Sequence, residues 1–272
     1  MVIVTDKEYY MDGYLKSNLD IAKTAVKDDW DMLFIVDGIE GSGKSVLAMQ
    51  MAYFCDPSLS LDRITFTPED FKQAIVNSEK RQAIIFDEAY GGLSSRQAMT
   101  KVNKALVQML AEIRQKNLFV FLVLPCFFEL DRYAAIWRSR ALIHVYTDGF
   151  KRGKFMFFNQ DKKKFLWIYG KKTYSYKRPS SDFYGSFTNN YPIGSEEYRE
   201  KKHQSLFRYV ENEDTDTKLI QRDAFLYLLK KQTGFKAKEI NFALKNIIPA
   251  ENMLSTSRIN EILAKMTKKE GF

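Results

Sequence analysis

Three runs of consecutive apolar residues punctuate the chain, Met32–Val36, Ala83–Phe86 and Leu118–Leu124, and a fourth apolar segment, Ala141–Tyr146, is interrupted only by His144. Runs of this length without alternation predict parallel strands buried on both faces rather than half-solvated antiparallel ones. Between them lie stretches with helical spacing. Val46–Tyr53 follows the first run, and Thr67-Pro68-Glu69-Asp70 opens a second helix to about Asn77, with Thr67 as N-cap and Pro68 at the first helical position. Thr100 to about Lys116 places Val102, Ala105, Leu106, Met109 and Ile113 on one stripe, and Phe128–Trp137 reads as a further helix. Arg63–Thr67 adds a short strand, and Leu19–Ala25 a short helix before the first core strand. Strands alternating with helices predict an α/β fold, a parallel sheet flanked by helices and joined by right-handed crossovers.

From Gly153 the period changes. Lys154–Asn159 and Lys164–Tyr169 read as the arms of a β-hairpin turned at 160–163. Residues 179–194, rich in Ser, Asn, Gly and Pro, read as a linker. Beyond it the pattern predicts helices over 195–210, 217–232, 236–247 and 256–268, with an acidic break at 211–216. The expected organisation is therefore a first domain over 1–178, a linker over 179–194 and a small helical C-terminal domain over 195–272.

The chemistry concentrates where the first strand ends. Gly38-Ile39-Glu40-Gly41-Ser42-Gly43-Lys44-Ser45 matches G-x-x-x-x-G-K-[S/T] at every fixed position, with a strand before it and a helix, opening at Val46, after it. In that context the motif predicts a phosphate-binding loop: backbone N–H groups and the positive end of the helix hold an anion, Lys44 reaches the β and γ phosphates, and the Ser45 hydroxyl ligates Mg²⁺. Residues 38–46 are thus the expected ATP-binding positions. Asp87-Glu88 ends the second apolar run, at the carboxyl end of a buried strand. Asp87 is expected to hold Mg²⁺ through water and Glu88 to activate the water that attacks the γ-phosphate. A base for water favours ATP hydrolysis over phosphate transfer to another acceptor.

Charge changes the picture in one place. Of a net +8, the segment 151–178 holds ten basic residues against the single acid Asp161, interleaved with eight aromatics. Such a tract packs its aromatics inward and solvates its lysines, or tracks the phosphates of a polyanion, or does both; the partner expected for it is double-stranded DNA. Two cysteines, Cys55 and Cys126, and two histidines, His144 and His203, exclude a disulfide scaffold and a zinc cluster and suit a reducing cytoplasm. The acidic start lacks a secretion signal, and the longest apolar stretch, 118–128, is about half the roughly 20 residues a membrane span needs, so no membrane insertion is expected.

The phosphate loop, Asp87-Glu88 and the order that follows them resemble P-loop ATPases of the additional-strand, catalytic-glutamate class. More narrowly, roughly residues 30–150 resemble the FtsK/HerA group, with its viral DNA-packaging and zonula-occludens-toxin-like ATPases. That resemblance rests on Arg114 at a helix end, the strand 118–124, and Arg138-Ser139-Arg140 before a last core strand. It implies a RecA/FtsK-like P-loop fold and a homo-oligomeric ring in which an arginine, Arg114 foremost, with Arg138 and Arg140 as further candidates, acts on ATP bound by a neighbouring subunit. It implies a DNA-translocating, packaging-type motor in a host cytoplasm. The tail lies outside the resemblance: its helices over 217–268 read either as a helix-turn-helix-like unit or as a small bundle that meets a viral portal or other assembly partner. Export of phage or protein, a P-loop kinase and a nucleotide-dependent switch are the alternatives. Where the family usually carries a polar sensor, this chain has Pro125-Cys126.

Overall fold

The computed structural model describes residues 2–4, 8–87, 103, 107–109, 112–245 and 254–270. The chain forms a mixed seven-stranded sheet flanked by helices, in the order β4-β5-β6-β3-β7-β8-β9. Its strands are β3 (Met32–Gly38), β4 (Ile64–Thr65), β5 (Ala83–Asp87), β6 (Phe119–Leu124), β7 (Ala141–Asp148), β8 (Lys151–Phe158) and β9 (Phe183–Ser186). The first five are parallel, and β8 and β9 add antiparallel at one edge. A separate two-stranded ribbon pairs β1 (Val2–Val4) with β2 (Tyr9–Met11).

The uninterrupted apolar runs have the predicted cause. All seven residues of β3, all five of β5 and all six of β6 are buried. Alternate side chains feed two cores on opposite faces of the sheet. Phe34 and Val36 join Phe121 and Val123 on one face, while Leu33 and Ile35 join Val120 and Leu122 on the other.

The first face is covered by α2 (Lys44–Cys55), which is apolar nearly all round because α1 (Gly13–Lys27) lies over it. Helix α1 itself buries Leu15, Leu19, Ala22 and Val26 at helical spacing, and its Asp12 cap accepts from the N–H groups of Tyr14 and Leu15 at 3.0 and 3.1 Å. The second face is covered by α3 (Pro68–Asn77), where the Thr67 hydroxyl accepts from the Asp70 N–H at 3.1 Å, by Met109 and Ile113, and by α4 (Gln160–Gly170).

Several expectations are corrected. The hairpin is formed by β7 and β8 around Gly149-Phe150, and residues 160–170 are the helix α4 rather than a return strand. The Asn159 side chain caps that helix, accepting from the Lys162 N–H at 3.0 Å, and Lys163, Leu166 and Gly170 make a buried stripe at i, i+3, i+7. Residues 160–170 carry aromatics that favour strands, but the stripe decides.

The expected linker carries β9, held by Phe183 stacked on Phe157 (4.7 Å between ring centroids) and by Gly185, whose lack of a side chain admits the Phe155 ring. Phe128–Trp137 is not one α-helix: Phe127–Glu129 is a 3₁₀ turn and Tyr133–Arg138 a π-helical turn. The acidic segment 211–216, which holds neither proline nor glycine, does not break the chain either, and α5 runs unbroken over Ser195–Thr233.

The chain divides into two compact units between Leu206 and Phe207. The second has its own small core, in which Leu226 of α5 meets Ala237 and Ile240 of α6 (Ala237–Leu244) and Ile259, Ile262 and Leu263 of α7 (Thr256–Glu270).

Candidate nucleotide site

At the carboxyl end of β3 the backbone must turn while pressed against β7. Gly38 has φ +143°, and a Cβ there would lie 2.0 Å from the Val145 carbonyl oxygen. Five residues on, Gly43 adopts φ +100° immediately before α2, with the Phe187 ring packed where a side chain would go. The loop so formed leaves the first N–H groups of α2 without intrahelical partners, facing the crevice at the ends of the parallel strands.

The Ser42 hydroxyl is buried under the loop and has no hydrogen-bond partner among the described residues. Lys44 Nζ folds back to donate to the carbonyls of Gly38 (2.7 Å) and Ile39 (2.8 Å), and burial pulls its pKa below the usual lysine value against the opposing field of Asp87 and Asp37. A part-buried lysine beside Ser45 on a glycine loop, both lining the cavity, fits a phosphate chain.

Asp87, at the end of β5, is 2% exposed and faces the same cavity. Strand β6 separates β5 from β3, so the loop and the carboxylate converge across an intervening strand. One Asp87 oxygen accepts from the Tyr198 hydroxyl and lies 3.4 Å from Lys202 Nζ. The same tyrosine hydroxyl accepts from Lys202 Nζ at 3.3 Å, and burial beside Asp87 drives its pKa up. Tyr198 and Ser45 line the same cavity as Asp87.

The cavity, of about 370 Å³, is walled by the loop, Asp87 and Pro125 on the strand ends, and by Arg152, Tyr191, Tyr198 and Lys202 from later in the chain. Gln50 of α2 fastens that later wall, its amide nitrogen donating to the carbonyls of Thr188 and Asn190, each at 2.8 Å. Beneath the loop Asp37 is wholly buried and fully engaged: it accepts from the Phe127 N–H (2.9 Å) and the Tyr176 hydroxyl, and pairs with His144 Nδ1 (2.9 Å). His144 stacks on Tyr176 at 3.7 Å, so this cluster fixes the strand ends rather than facing the cavity.

The structure thus brings together the loop residues Gly38–Val46 and Asp87. Glu88 lies outside the described residues. The three arginines are not brought to the cavity of their own chain. Arg138 pairs with buried Asp31 at 2.6 Å, and Arg140 lies over the Trp30 ring at 4.9 Å while its N–H donates to the Leu33 carbonyl. Both belong to the opposite end of the sheet, where the parallel strands begin, and Arg138 is a structural ion-pair partner there rather than a free finger. Arg114 also lies near that end, just before β6, with its side chain exposed.

The basic tract is divided as well. Lys163 is fully buried, donating to the carbonyls of Ala135 (2.5 Å), Ile136 (3.2 Å) and Ser139 (2.9 Å) and to the Ser139 hydroxyl (2.8 Å). Lys164 and Lys171 sit over the rings of Trp137 and Trp167. Phe155, Phe157 and Phe158 are core. Among the exposed residues of the tract, Phe165 and Tyr169, stacked on each other, meet Lys177 and Arg178 in a second cavity of about 660 Å³.

Tyr198, Lys202 and Gln50 escape a sequence reading, since a tyrosine and a lysine four apart on a helix carry no signature. Arg152 was visible only as one charge among ten.

The chain matches no family model and no curated protein. Among solved structures it is similar to the N-terminal domain of zonular occludens toxin from Neisseria meningitidis, at 12% identity and a TM-score of 0.32, covering 48% of this chain and 84% of that one.

Proposed function

We propose that this chain is a Mg²⁺-dependent ATPase that acts on double-stranded DNA. The observation that carries the reading is the convergence, around one cavity, of a glycine loop, Lys44, Ser45 and the strand-end carboxylate Asp87. The strand β6 between β3 and β5 supports membership of the additional-strand class.

In this reading the loop N–H groups and Lys44 bind the phosphates, and Ser45 and Asp87 hold Mg²⁺, which when bound neutralises charge on the transferred phosphate. Glu88, next in the chain, is assigned the proton of the attacking water. The DNA reading rests on the exposed part of the basic tract, in particular Phe165, Tyr169, Lys177 and Arg178, after Lys163 is withdrawn from it.

The test is ATP turnover with and without double-stranded DNA across a salt series, with Lys44→Ala as the blank. Wild type is expected to hydrolyse ATP, to be stimulated by DNA at low salt, and to lose that stimulation steeply as salt rises. Absence of turnover above the blank rejects the ATPase. Turnover indifferent to DNA retains the ATPase and rejects the polyanion.

A further inference from the structure

The antiparallel edge of the sheet delivers a cation to the phosphate loop. Strands β7 and β8 pair Tyr146 with Lys154 and Asp148 with Lys151, so Arg152 and Gly153 together face the single residue Thr147. This is a β-bulge, a device that turns a side chain out of the regular alternation. Gly153 makes it possible: its φ is +90°, and a Cβ there would lie 2.6 Å from the Phe187 carbonyl oxygen.

The bulge is braced on its far side. The Phe187 N–H donates to the Gly153 carbonyl at 2.9 Å, and the Phe187 ring packs on Gly43 of the loop. Arg152 is thereby held against the loop, its Nη2 atom 3.7 Å from where a Cβ of Gly41 would stand.

Charge makes the placement informative. Arg152 lines the nucleotide cavity with Lys44 and Lys202, and among the described residues no carboxylate pairs with it. Three cations face two carboxylates there, the buried Asp87 and the exposed Glu40, which leaves an excess of positive charge in the cavity. Mutual repulsion would favour moving an exposed arginine into water, yet the bulge aims it inward. A guanidinium offers two parallel N–H donors that match a phosphate, so an anion of higher charge than Asp87 completes the set.

We infer that Arg152 is a phosphate-contacting arginine supplied within the same chain, binding the polyphosphate of the nucleotide beside Lys44. This rests on the nucleotide reading proposed above and goes beyond it, because it reassigns Arg152 from the DNA-facing tract to the nucleotide and gives the site an arginine without a second subunit.

The test compares wild type, Lys44→Ala, Arg152→Ala, Arg152→Lys and the distant surface control Lys80→Ala by titration with a fluorescent ATP analogue, with tripolyphosphate and adenosine as competitors and thermal unfolding as the check on folding. Arg152→Ala is expected to weaken ATP and tripolyphosphate by the same factor, roughly 10- to 100-fold, with adenosine competition and the unfolding temperature unchanged. Arg152→Lys should recover part of the loss, and millimolar guanidinium should restore binding to the alanine variant alone. Nucleotide binding by wild type with full affinity in Arg152→Ala overturns this inference and leaves the nucleotide site standing. No nucleotide binding by wild type overturns both.

Discussion

At the scale of single residues, the site is defended by its own side chains. Asp87 is buried, and a buried carboxylate without partners costs several kcal/mol. Here the Tyr198 hydroxyl and the Lys202 ammonium supply those partners, in the region a hydrated Mg²⁺ would occupy. Removing the hydroxyl leaves the carboxylate underserved until a metal arrives. Tyr198→Phe is therefore expected to lose about 1–3 kcal/mol of stability in the absence of nucleotide, read as a Tm lower by a few degrees. On the proposed assignment of Asp87 as a Mg²⁺ ligand, adding Mg²⁺ with ATP should shrink that gap, because the carboxylate would gain another partner. An equal gap with and without Mg²⁺–ATP would show that Tyr198 and the metal do not share the carboxylate.

At the scale of elements, α4 shows why part of the structure was legible and part was not. Continuous apolar runs specified β3, β5 and β6, because a strand buried on both faces leaves no alternation to misread, while β7 showed itself through the buried Ala141–Ile143 before His144. The loop was legible because its glycines and lysine match a fixed spacing, and the structure holds Gly38, Gly41 and Gly43 at positive φ. Helix α4 was hidden because one position of its buried stripe is a lysine, and β9 because an edge strand of four residues shows no period.

Lys163 earns its buried position by serving three carbonyls at the end of the π-helical turn, where a helix leaves acceptors unpaired. Burial and the neighbouring Arg140 pull its pKa down to about 7. The folded pKa is below the unfolded lysine value, so the unfolded state binds more protons between them and stability rises with pH across that window. The penalty on the charged form is complete below about pH 7 and fades toward the unfolded value of 10.5. Lys163→Met should abolish this slope, while leaving the carbonyls unserved and so costing about 1–3 kcal/mol at high pH. Denaturant titrations at several pH values measure both. Parallel pH profiles for wild type and variant would show that Lys163 does not titrate in the window.

At the scale of the whole molecule, the question is whether one chain holds a complete site. Strands of six or seven residues place Arg114 roughly 20 Å from the loop, at the other end of the sheet, so its exposed side chain can serve only a nucleotide held by another copy. Arg152, by contrast, already stands in the cavity. The two arginines predict different behaviour on mixing. If Arg114 acts on a neighbour, then Arg114→Ala and Lys44→Ala proteins, each inactive alone, regain ATPase when combined, because an intact loop from one meets an intact arginine from the other. Random assembly makes about a quarter of the interfaces competent at equal ratio, so recovery should peak there. If Arg152 supplies the only arginine the chemistry uses, Arg114→Ala is active by itself and mixing only dilutes it with the dead Lys44→Ala chains. A peak at equal ratio selects the ring with a shared site; a straight decline selects a site complete within one chain.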